Sequence, residues 1–379
     1  MKEEHVVVLG AGMVGKAIAV DLNKNYLVTA VDINRTRLEP LAKNGVQTVC
    51  ADISNAETLR QVIKDADLVV SAVLSRMGFA TLKNIIEAGK NVVDITFSAE
   101  DPLKLDELAG KNDVIAIVDC GVCPGMTNII LGYHDGHMAI THYEALVGGL
   151  PVVRKWPWEY KAPFSPADVI EEYTRPARFV ENGQVVTVPA LSNIRTVEFD
   201  TVGTLEAFDT DGLRTLLHTM KHIPNMKEQT LRYPGHIGLY KALQASGFLS
   251  LAPIEFEGNV IRPFDFNTKI IMNKWRLGEQ EKELTVVRLV IEGTCNGISQ
   301  KITYNLFDQY DFLTQTTSMA RTTGYTATGA ARLILDGKFK RRGINPPEYI
   351  GRSEGNFIFM LDHLRQRGIH YKCLSGVIL

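Results

Sequence analysis

The sequence has little of what marks secreted, membrane or disulfide-stapled proteins. Its 379 residues contain only five cysteines, an odd and sparse set that fits a reduced intracellular compartment. No apolar run approaches the roughly 20 residues that span a bilayer. The first residues, MKEEHVVVLG, are acidic before their apolar run and lack a cleavage pattern, so they predict a first strand and not a signal peptide. We therefore expect a cytoplasmic protein without a membrane partner.

Charge of one sign is also scarce. The 41 Lys and Arg residues nearly balance the 43 Asp and Glu residues, and the only dense run is KFKRR at 338–342. This balance argues against nucleic acid or a membrane surface as the main partner. The expected partner is therefore a small molecule.

What the sequence does contain is a first part that alternates short apolar strands with helical segments. A chain of 379 residues with 45% apolar content is expected to form two domains. The strands of its first 120 residues are too short and too apolar to lie anywhere but in a buried parallel sheet. Their alternation with helices predicts a doubly wound α/β sheet of the Rossmann type. The predicted strands are HVVVLG, YLVTAVD, VQTVC, DLVVSAV, NVVDIT and VIAIVD, and the predicted helices are Val14–Asn23, Asn55–Lys64, Phe79–Ala88 and Pro102–Ala109.

The pattern changes after Gly132, where longer strands of alternating polarity predict an inserted α+β domain with a mixed or antiparallel sheet. Asn182-Gly183 and Asn296-Gly297 are dipeptides that two-residue hairpin turns prefer. The small-residue segment SMARTTGYTATGAARLILDG predicts a helix that returns to the first domain. We therefore expect a Rossmann domain at 1–124, completed by a helix at about 318–340, and a second domain at 125–317 on which 341–379 packs. The helices expected in the second domain are Pro166–Tyr173, Leu213–Lys221, Ile237–Ser246 and Phe264–Trp275.

A glycine-rich turn follows the first strand and opens the first helix. Its sequence, Gly10-Ala11-Gly12-Met13-Val14-Gly15, matches G-x-G-x-x-G in the strand-turn-helix context that gives this motif its meaning. Gly10 permits the tight turn, Gly12 lets the backbone approach a pyrophosphate, and Gly15 allows the helix to pack closely on the strand. The amino end of the helix, at Met13 and Val14, adds free N–H groups. The motif predicts a dinucleotide site.

Asp32 closes the second strand and bears on the choice of cofactor. A carboxylate there would accept hydrogen bonds from both ribose hydroxyls and would repel a 2′-phosphate, which favours NAD over NADP. Arg35 and Arg37 lie close by in sequence and leave NADP open as the alternative.

Further cofactor contacts are expected along the carboxyl edge of the parallel sheet. Ala72, Val73 and Leu74 end the fourth strand there, and Gly121 follows the sixth. Two more candidates have a plain structural alternative. Asp52 either lies by the adenine or is a turn residue before a helix, and Thr323 either contacts the nicotinamide side of the cofactor or caps the late helix.

The stretch VDCGVCPGMTN, 118–128, contains a Cys-x-x-Cys pair followed by His134 and His137. Zinc binding is disfavoured because a helix starting at Pro124 would carry the histidines roughly 15 Å from the cysteines at about 1.5 Å per residue. A redox pair is disfavoured because the first thiol of such a pair should lie at a helix amino end, whereas Cys120 and Cys123 are expected at the end of a strand and in the turn after it. We predict no bound metal and reduced thiols that act as small packing residues. The loop itself, with Asp119 beside Gly121, is expected to line a cleft.

Six segments occur in a characteristic order along the chain: VLGAGMVGKAIAVDL, VDCGVCPGMTNIILGY, GGLP, EEYTRPARFVENGQ, LEAFDTDGLRTLL and TLRYPGH. In this order they resemble the saccharopine dehydrogenase-like family, and within it the lysine 6-dehydrogenase branch. The resemblance runs from residue 5 to about 335. It implies a Rossmann domain with an inserted mixed-sheet domain for substrate binding and dimerisation, a homodimer, and NAD-dependent oxidation of the lysine ε-amine. The product would be the 6-semialdehyde, which cyclises to piperideine-6-carboxylate.

Such a reaction needs a base, because an ammonium with a reference pKa near 10.4 cannot lose hydride until it has lost a proton. His236, in the turn after QTLRYPG, is the first candidate, and its alternative is a histidine that starts a helix. Asp119 is the second candidate, or else it holds the ε-ammonium or caps the next helix. Tyr233 would orient the base or simply pack.

The substrate's α-carboxylate calls for a planar donor, which means arginine. Arg214 or Arg232 would serve, and surface ion pairing is the alternative for both. Asp211 or Glu144 would bind the α-ammonium, although helix capping also explains Asp211. The lysine methylenes would lie in an apolar slot formed by Trp156 and Trp158, unless these residues only anchor their loop.

Two other functions stay open. A saccharopine dehydrogenase or opine-type reductase using NAD(P)H would need two or more carboxylate-binding arginines, which Arg214 and Arg232 would supply. A non-catalytic dinucleotide sensor would bind the cofactor without a base and an arginine converging beside it.

Overall fold

The computed structural model describes residues 4–278 and 281–377. Its strands, numbered in chain order, are β1 His5–Leu9, β2 Leu27–Asp32, β3 Gln47–Cys50, β4 Leu68–Ser71, β5 Asn91–Asp94, β6 Ile115–Ile117, β7 Ala139–Pro151, β8 Ala177–Glu181, β9 Gln184–Val188, β10 Arg195–Phe199, β11 Gly203–Asp209, β12 Asn225–Arg232, β13 Ile254–Phe256, β14 Asn259–Ile261, β15 Glu283–Cys295, β16 Ile298–Gln309, β17 Gly343–Asn345 and β18 Lys372–Val377.

The helices follow the same order. They are α1 Met13–Leu22, α2 Arg35–Lys43, α3 Ala56–Ile63, α4 Ser75–Glu87, α5 Asp106–Lys111 after a 3₁₀ turn at Pro102–Leu105, α6 Met126–Asp135, α7 Pro166–Thr174, α8 Leu216–Thr219, α9 His236–Ala245, α10 Pro263–Trp275, α11 Ser318–Leu335, α12 Glu348–Gly351 and α13 Glu354–Arg365. No helix within the described residues is both long and apolar enough to cross a lipid bilayer.

The first sheet is parallel and has the strand order β17-β6-β5-β4-β1-β2-β3. The side chains of Val6, Val7, Val8 and Leu9 in its central strand are fully buried, because helices cover both faces of the sheet. The chain order reverses between β1 and β4, which opens a crevice at the carboxyl ends of the strands. This confirms the doubly wound Rossmann sheet expected from the sequence.

The second sheet is mixed, with the order β10-β11-β12-β7-β15-β16-β18 and a β8–β9 hairpin attached to β12. Strands β7 and β12 run parallel, and the other described pairs are antiparallel. The two predicted hairpin turns are present, since the backbone φ is 49° and 76° at Asn182 and Gly183 and 50° and 78° at Asn296 and Gly297. The inserted α+β domain is therefore confirmed.

The end of the described chain crosses back and forth between the two sheets. Helix α11 packs on α1, as expected, and Gly324 makes this possible because a Cβ there would lie 3.3 Å from the Ile18 side chain. The expectation that 341–379 packs on the second domain needs correction. Strand β17 extends the parallel sheet beside β6, where an open edge accepts three more residues, and only β18 joins the mixed sheet beside β16.

Two helices begin later than the sequence suggested. Helix α6 starts at Met126 and not at Pro124, because Gly125 adopts a φ of 136° and its Cα lies against Gly121, where a Cβ would be 1.9 Å from the carbonyl oxygen. Helix α8 covers only Leu216–Thr219, because Arg214 has a left-handed φ of 43° that a helix cannot contain.

Candidate functional site

A cavity of about 1470 Å³ lies between the carboxyl edge of the parallel sheet and one face of the mixed sheet. One end is formed by the glycine-rich turn, and the other, called here the inner chamber, is formed by β7, β12 and α7. Every residue expected from the sequence to contact the cofactor lines this cavity. These residues are Gly10, Gly12, Met13, Val14, Gly15, Asp32, Asp52, Ala72, Val73, Leu74, Gly121 and Thr323.

The glycine-rich turn has the shape of a phosphate cradle. A Cβ at Gly10 would lie 2.4 Å from the carbonyl oxygen of Ala72, and one at Gly15 would lie 2.0 Å from that of Gly10. At Gly12, by contrast, a Cβ would meet nothing within 4 Å, so this position faces open space. No side chain caps the start of α1. The free amides of its first turn therefore suit a pyrophosphate, and the residues present fit a dinucleotide.

Asp32 is held rigidly at the end of β2. Its two carboxylate oxygens accept hydrogen bonds from the backbone amides of Ala11 and Asn34, both at 2.8 Å. The guanidinium Nη1 of Arg37 lies 3.7 Å from the same carboxylate. Asp52 accepts a bond from the amide of Ser54, and hydrogen bonds from Ser54 lower the pKa of its carboxyl. Asp32 and Arg37, the acidic and the basic residue that bear on recognition of the ribose, thus lie side by side.

The inner chamber contains Arg232 and three acidic residues that were not candidates from the sequence, Glu228, Asp168 and Glu172. Glu228, Thr230 and Arg232 alternate along β12 and so share one face of the strand, which lines the cavity. Asp168 and Glu172 are four residues apart on α7 and line it from the other side. Apolar lining comes from Cys123, Val147, Phe164 and Met319.

Glu228 is the most deeply buried acid of the chamber, with 4% of its surface exposed. Thr210 donates a hydrogen bond of 2.5 Å to its Oε2 atom. Gly212 leaves room for it, since a Cβ there would be 2.4 Å from the carboxyl group. Burial raises the pKa of Glu228 from 4.5 to about 8, and the charge of Glu172 adds to this effect. A carboxyl with such a pKa can exchange protons near neutral pH.

Arg232 and Glu172 form the second charged feature of the chamber. Burial raises the pKa of Glu172 to about 7, although the nearby charge of Arg232 opposes the shift. The Nη2 atom of Arg232 lies 3.6 Å from Glu172 Oε2. The remaining contacts of the Arg232 guanidinium are neutral: its Nε donates to the Tyr173 hydroxyl at 2.7 Å and its Nη1 to the carbonyl of Leu231 at 2.9 Å. Within the described residues, Glu172 is therefore the one acid that pairs with this guanidinium.

His236, the first candidate for the base, does not line the cavity. It packs among Trp158, Tyr160, Tyr173 and Trp275, and burial lowers the pKa of its imidazole to about 3. Both ring nitrogens are engaged, Nε2 with the Tyr173 hydroxyl and Nδ1 with the Trp158 carbonyl, each at 2.9 Å. This geometry does not suit a base that touches the substrate, because no ring nitrogen is free to reach it.

The other candidates outside the cavity are occupied by local partners. Tyr233 donates to the carbonyl of Pro151 at 3.0 Å. Asp211 accepts two bonds of 2.8 Å from Arg178, and Glu144 accepts one from Arg195. Trp158 belongs to the aromatic cluster, and Trp156 is 88% exposed. These residues were plausible from their motifs, but none of them lines the cavity.

Asp119 and Arg214 bind each other. Asp119 lines the cavity, and its Oδ2 accepts a hydrogen bond of 2.8 Å from Arg214 Nε. Arg214 also donates to the carbonyl of Ser98 at 2.6 Å and does not line the cavity. The pair is buried and joins the loop after β6 to the loop after β11. Arg214 is therefore paired with a hydrogen-bonded carboxylate, whereas Arg232 lies 3.6 Å from its acidic neighbour Glu172.

The two cysteines of the 118–128 stretch have different surroundings. Cys120 is buried in the core, and Cys123 lines the cavity. Burial raises the pKa of both thiols above the ordinary value of 9.0, which is the opposite of what an activated redox thiol needs. His134 at the end of α6 is hydrogen-bonded to the Tyr304 hydroxyl at 3.0 Å. The function of the loop is to place Asp119, Gly121 and Cys123 beside the cavity.

A signal for the missed residues was present in the sequence. Arg232 was a candidate, and the period of two along a strand puts Glu228 and Thr230 on the same face. The helical spacing of four does the same for Asp168 and Glu172. What the sequence did not provide was the packing of β12 against α7.

Comparison with known proteins gives two family models that together cover most of the chain. The saccharopine dehydrogenase NADP binding domain matches residues 6–117, and the saccharopine dehydrogenase C-terminal domain matches residues 121–369. A curated relative, carboxyaminopropylagmatine dehydrogenase of Synechocystis sp., is 21% identical over 89% of this chain and 91% of its own length. Other curated relatives are longer, and the chain spans only 14% to 59% of their length.

Two solved structures share the fold. Apo saccharopine dehydrogenase (L-Glu forming) of Saccharomyces cerevisiae superposes with a TM-score of 0.78 at 19% identity, covering 98% of this chain and 100% of that one. Homospermidine synthase of Legionella pneumophila, solved in complex with NAD, superposes with a TM-score of 0.70 at 12% identity, covering 100% of this chain and 92% of that one.

Proposed function

The chain belongs to the saccharopine dehydrogenase family of dinucleotide-binding oxidoreductases, and we propose that it is an NAD-dependent lysine 6-dehydrogenase. It would oxidise the ε-amine of L-lysine to the 6-semialdehyde, release ammonia and form NADH. The aldehyde would then cyclise to piperideine-6-carboxylate.

The arrangement of charges in the inner chamber is the observation that carries this proposal. Arg232 would bind the α-carboxylate, and Glu172, 3.6 Å from it, would bind the α-ammonium. Glu228 lies four residues from Arg232 on the same strand, about 13 Å away along the backbone at roughly 3.3 Å per residue. The ε-amine would lie against Glu228, with the methylenes on the apolar lining. Arg232, Glu172 and Glu228 would thus match the one carboxylate and the two amines of lysine, while the third acid of the chamber, Asp168, accepts a hydrogen bond from Ser75.

Glu228 would act as the base. Near its pKa of about 8 a fraction of the carboxyl groups is ionised, and the carboxylate can take a proton from the substrate ammonium. The hydrogen bond from Thr210 fixes the Oε2 atom, so Oε1 would be the atom that meets the substrate. The residues of the glycine-rich turn would hold the NAD that takes up the hydride from the ε-carbon. Glu228 would then release its proton to solvent, and as a carboxylate it would take a proton from the water that attacks the iminium carbon. It would return this proton to the nitrogen, which leaves as ammonia.

Asp32 supports NAD as the cofactor, because a carboxylate at the end of β2 would accept hydrogen bonds from the ribose hydroxyls and repel a 2′-phosphate. Arg37, 3.7 Å from Asp32, supports NADP, as does the name of the family model that matches residues 6–117. We propose NAD. Equilibrium titration of the protein with NADH and NADPH tests this choice, and tighter binding of NADPH would reverse it.

A second candidate is a saccharopine dehydrogenase or opine-type enzyme that acts on a secondary amine with NAD(P). It is favoured by three exposed cations at the mouth of the cavity, Arg76, Lys269 and Arg276, which make no ion pair within the described residues. They would accept the additional carboxylates of such a substrate. A third candidate, a non-catalytic sensor, is disfavoured because it has no use for a buried acid of raised pKa beside a buried arginine.

An NADH-formation assay on a panel of amines at alkaline pH tests these candidates. L-Lysine should give NADH without an added oxo acid, whereas 1,5-diaminopentane, which lacks the carboxylate, and 6-aminohexanoate, which lacks the α-amine, should react poorly. Activity with saccharopine alone would overturn the proposal in favour of the second candidate. Cofactor binding without turnover on any substrate would favour the sensor.

The homodimer and the cytoplasmic location remain predictions. Light scattering of the purified protein measures the first, and a dimer mass would support it.

A further inference from the structure

The contacts behind Arg232 form a chain of hydrogen bonds that leads away from the cavity. Arg232 Nε lies 2.7 Å from the hydroxyl of Tyr173, this hydroxyl lies 2.9 Å from His236 Nε2, and His236 Nδ1 lies 2.9 Å from the carbonyl of Trp158. Tyr173 is fully buried, and Arg232 and His236 are each 2% exposed. We propose that Tyr173 and His236 are positioning residues that hold Arg232 in the orientation in which it binds the carboxylate of the substrate.

With a neutral imidazole, one arrangement of protons satisfies all three bonds. The backbone carbonyl of Trp158 can only accept, so His236 carries its proton on Nδ1 and its Nε2 is unprotonated. The hydroxyl of Tyr173 then donates its proton to His236 Nε2. The guanidinium of Arg232 can only donate, so the tyrosine oxygen accepts from it. The imidazole is thus held in a single tautomer.

This chain orients a side chain and does not conduct protons. It ends on a backbone carbonyl, which neither takes nor supplies a proton. Burial, with the positive charge of Arg232 as a second cause, lowers the pKa of His236 to about 3, so the ring stays neutral throughout the physiological range. The histidine expected from the sequence to be the base thus has a different use, two hydrogen bonds away from Arg232.

The chain also determines which part of the guanidinium faces the cavity. Nε is directed to Tyr173, and Nη1 is tied to Leu231. The ring of Tyr160 covers the guanidinium face, 4.4 Å from its central carbon. The Nη2 group is left on the side of Glu172, which lines the cavity. A carboxylate arriving beside Glu172 therefore meets a donor that is already oriented, which reduces the entropy lost on binding.

Replacing Tyr173 by Phe removes the hydroxyl and keeps the ring. We expect the KM for L-lysine to rise roughly tenfold, because Arg232 loses a charge-assisted hydrogen bond, while kcat changes less than about twofold. Tyr240→Phe is the matched control. Tyr240 lies in the same aromatic cluster with its ring 4.9 Å from that of Tyr173, but its hydroxyl has no hydrogen-bond partner within the described residues.

The identity of the substrate rests on the proposed function, so a second measurement is independent of turnover. In ¹⁵N NMR of the full-length protein, His236 should show a protonated Nδ1 and an unprotonated Nε2 that do not titrate between pH 5 and 9. A protonated Nε2 in the wild type, or equal changes in KM for Tyr173→Phe and Tyr240→Phe, would overturn the positioning role. If lysine is not turned over but the NMR signature is present, the proposed function fails and the hydrogen-bond chain stands.

Discussion

The two ends of the cavity are built in different ways. At the glycine-rich turn the surface is made of backbone, and the essential property of Gly10, Gly12 and Gly15 is the absence of a side chain. In the inner chamber the surface is made of charged side chains, Glu228 and Arg232 from β12 and Glu172 from α7, each tuned by burial. The first end suits a dinucleotide, and under the proposed function the second end binds the amine that is oxidised. Variants of the glycine-rich turn should therefore alter cofactor binding, whereas variants of the inner chamber should alter the kcat or the KM for the substrate.

The largest effect is expected for Glu228→Gln. Loss of the proton acceptor should lower kcat by roughly 100- to 10,000-fold, with cofactor affinity unchanged. In the wild type, kcat/KM should rise with pH through about 8 as Glu228 loses its proton, and this limb should be absent in the variant. Stopped-flow measurement of NADH formation across pH gives both results. Glu292→Gln, which changes an acid paired with Lys301 on the surface of the same sheet, is the control. A normal pH profile in Glu228→Gln would remove Glu228 from the mechanism.

The next effect separates the two buried arginines. Arg232→Met should raise the KM for L-lysine about 30-fold or more, since a buried charged contact is worth about 2 kcal/mol or more. Arg214→Met should instead lower the melting temperature, because it leaves Asp119 as an unpaired buried acid. Steady-state kinetics and thermal melting of both variants make the comparison. If Arg214→Met changed only the KM and left the melting temperature unchanged, Arg214 would not have the structural role assigned to it.

Within the glycine-rich turn, the substitutions Gly12→Ala and Gly15→Ala each add one methyl group but should have different effects on NADH binding and on the melting temperature. Gly12→Ala places its Cβ in open space and should fold normally, yet it should weaken NADH binding roughly tenfold or more by displacing the pyrophosphate. Gly15→Ala would place its Cβ 2.0 Å from the carbonyl oxygen of Gly10 and should lower the melting temperature as well. Titration by NADH fluorescence, together with melting curves, distinguishes them. Equal melting temperatures for the two variants would contradict the geometry.

The smallest expected effect is on how the melting temperature changes with pH. The pKa of Glu228 rises from 4.5 to about 8 on folding, so between these values the folded protein holds a proton that the unfolded chain has released. The contribution of Glu228 to the free energy of unfolding is therefore fully present below about pH 4.5 and is lost as the pH rises towards 8. Glu228→Gln removes this dependence, so its melting temperature should drop less than that of the wild type between pH 6 and 9, by roughly 2 °C. An equal drop would show that Glu228 is ionised in the folded protein at pH 6.

The sequence predicted the glycine-rich end far better than the chamber. Gly10 to Gly15 form one turn and the start of α1, and Asp32 ends the neighbouring strand β2, so their geometry follows from local rules. The hairpins at Asn182 and Asn296 were predictable for the same reason. Arg232, a candidate from its motif, lines the cavity, but His236, four residues later, does not. Whether a side chain faces the cavity depends on how β12 packs against α7, and neither motif nor spacing contains that information.

The crossing of the chain between its two sheets has a consequence for protein engineering. Strand β17 belongs to the parallel sheet and β18 to the mixed sheet, with α13 between them in the chain. A chimaera that takes its substrate specificity from a relative cannot be made by exchanging 125–317 alone, because the edge position beside β16 would then be filled by a strand of the other parent. The exchangeable unit consists of two separate pieces of the gene, and the second of them encodes β18.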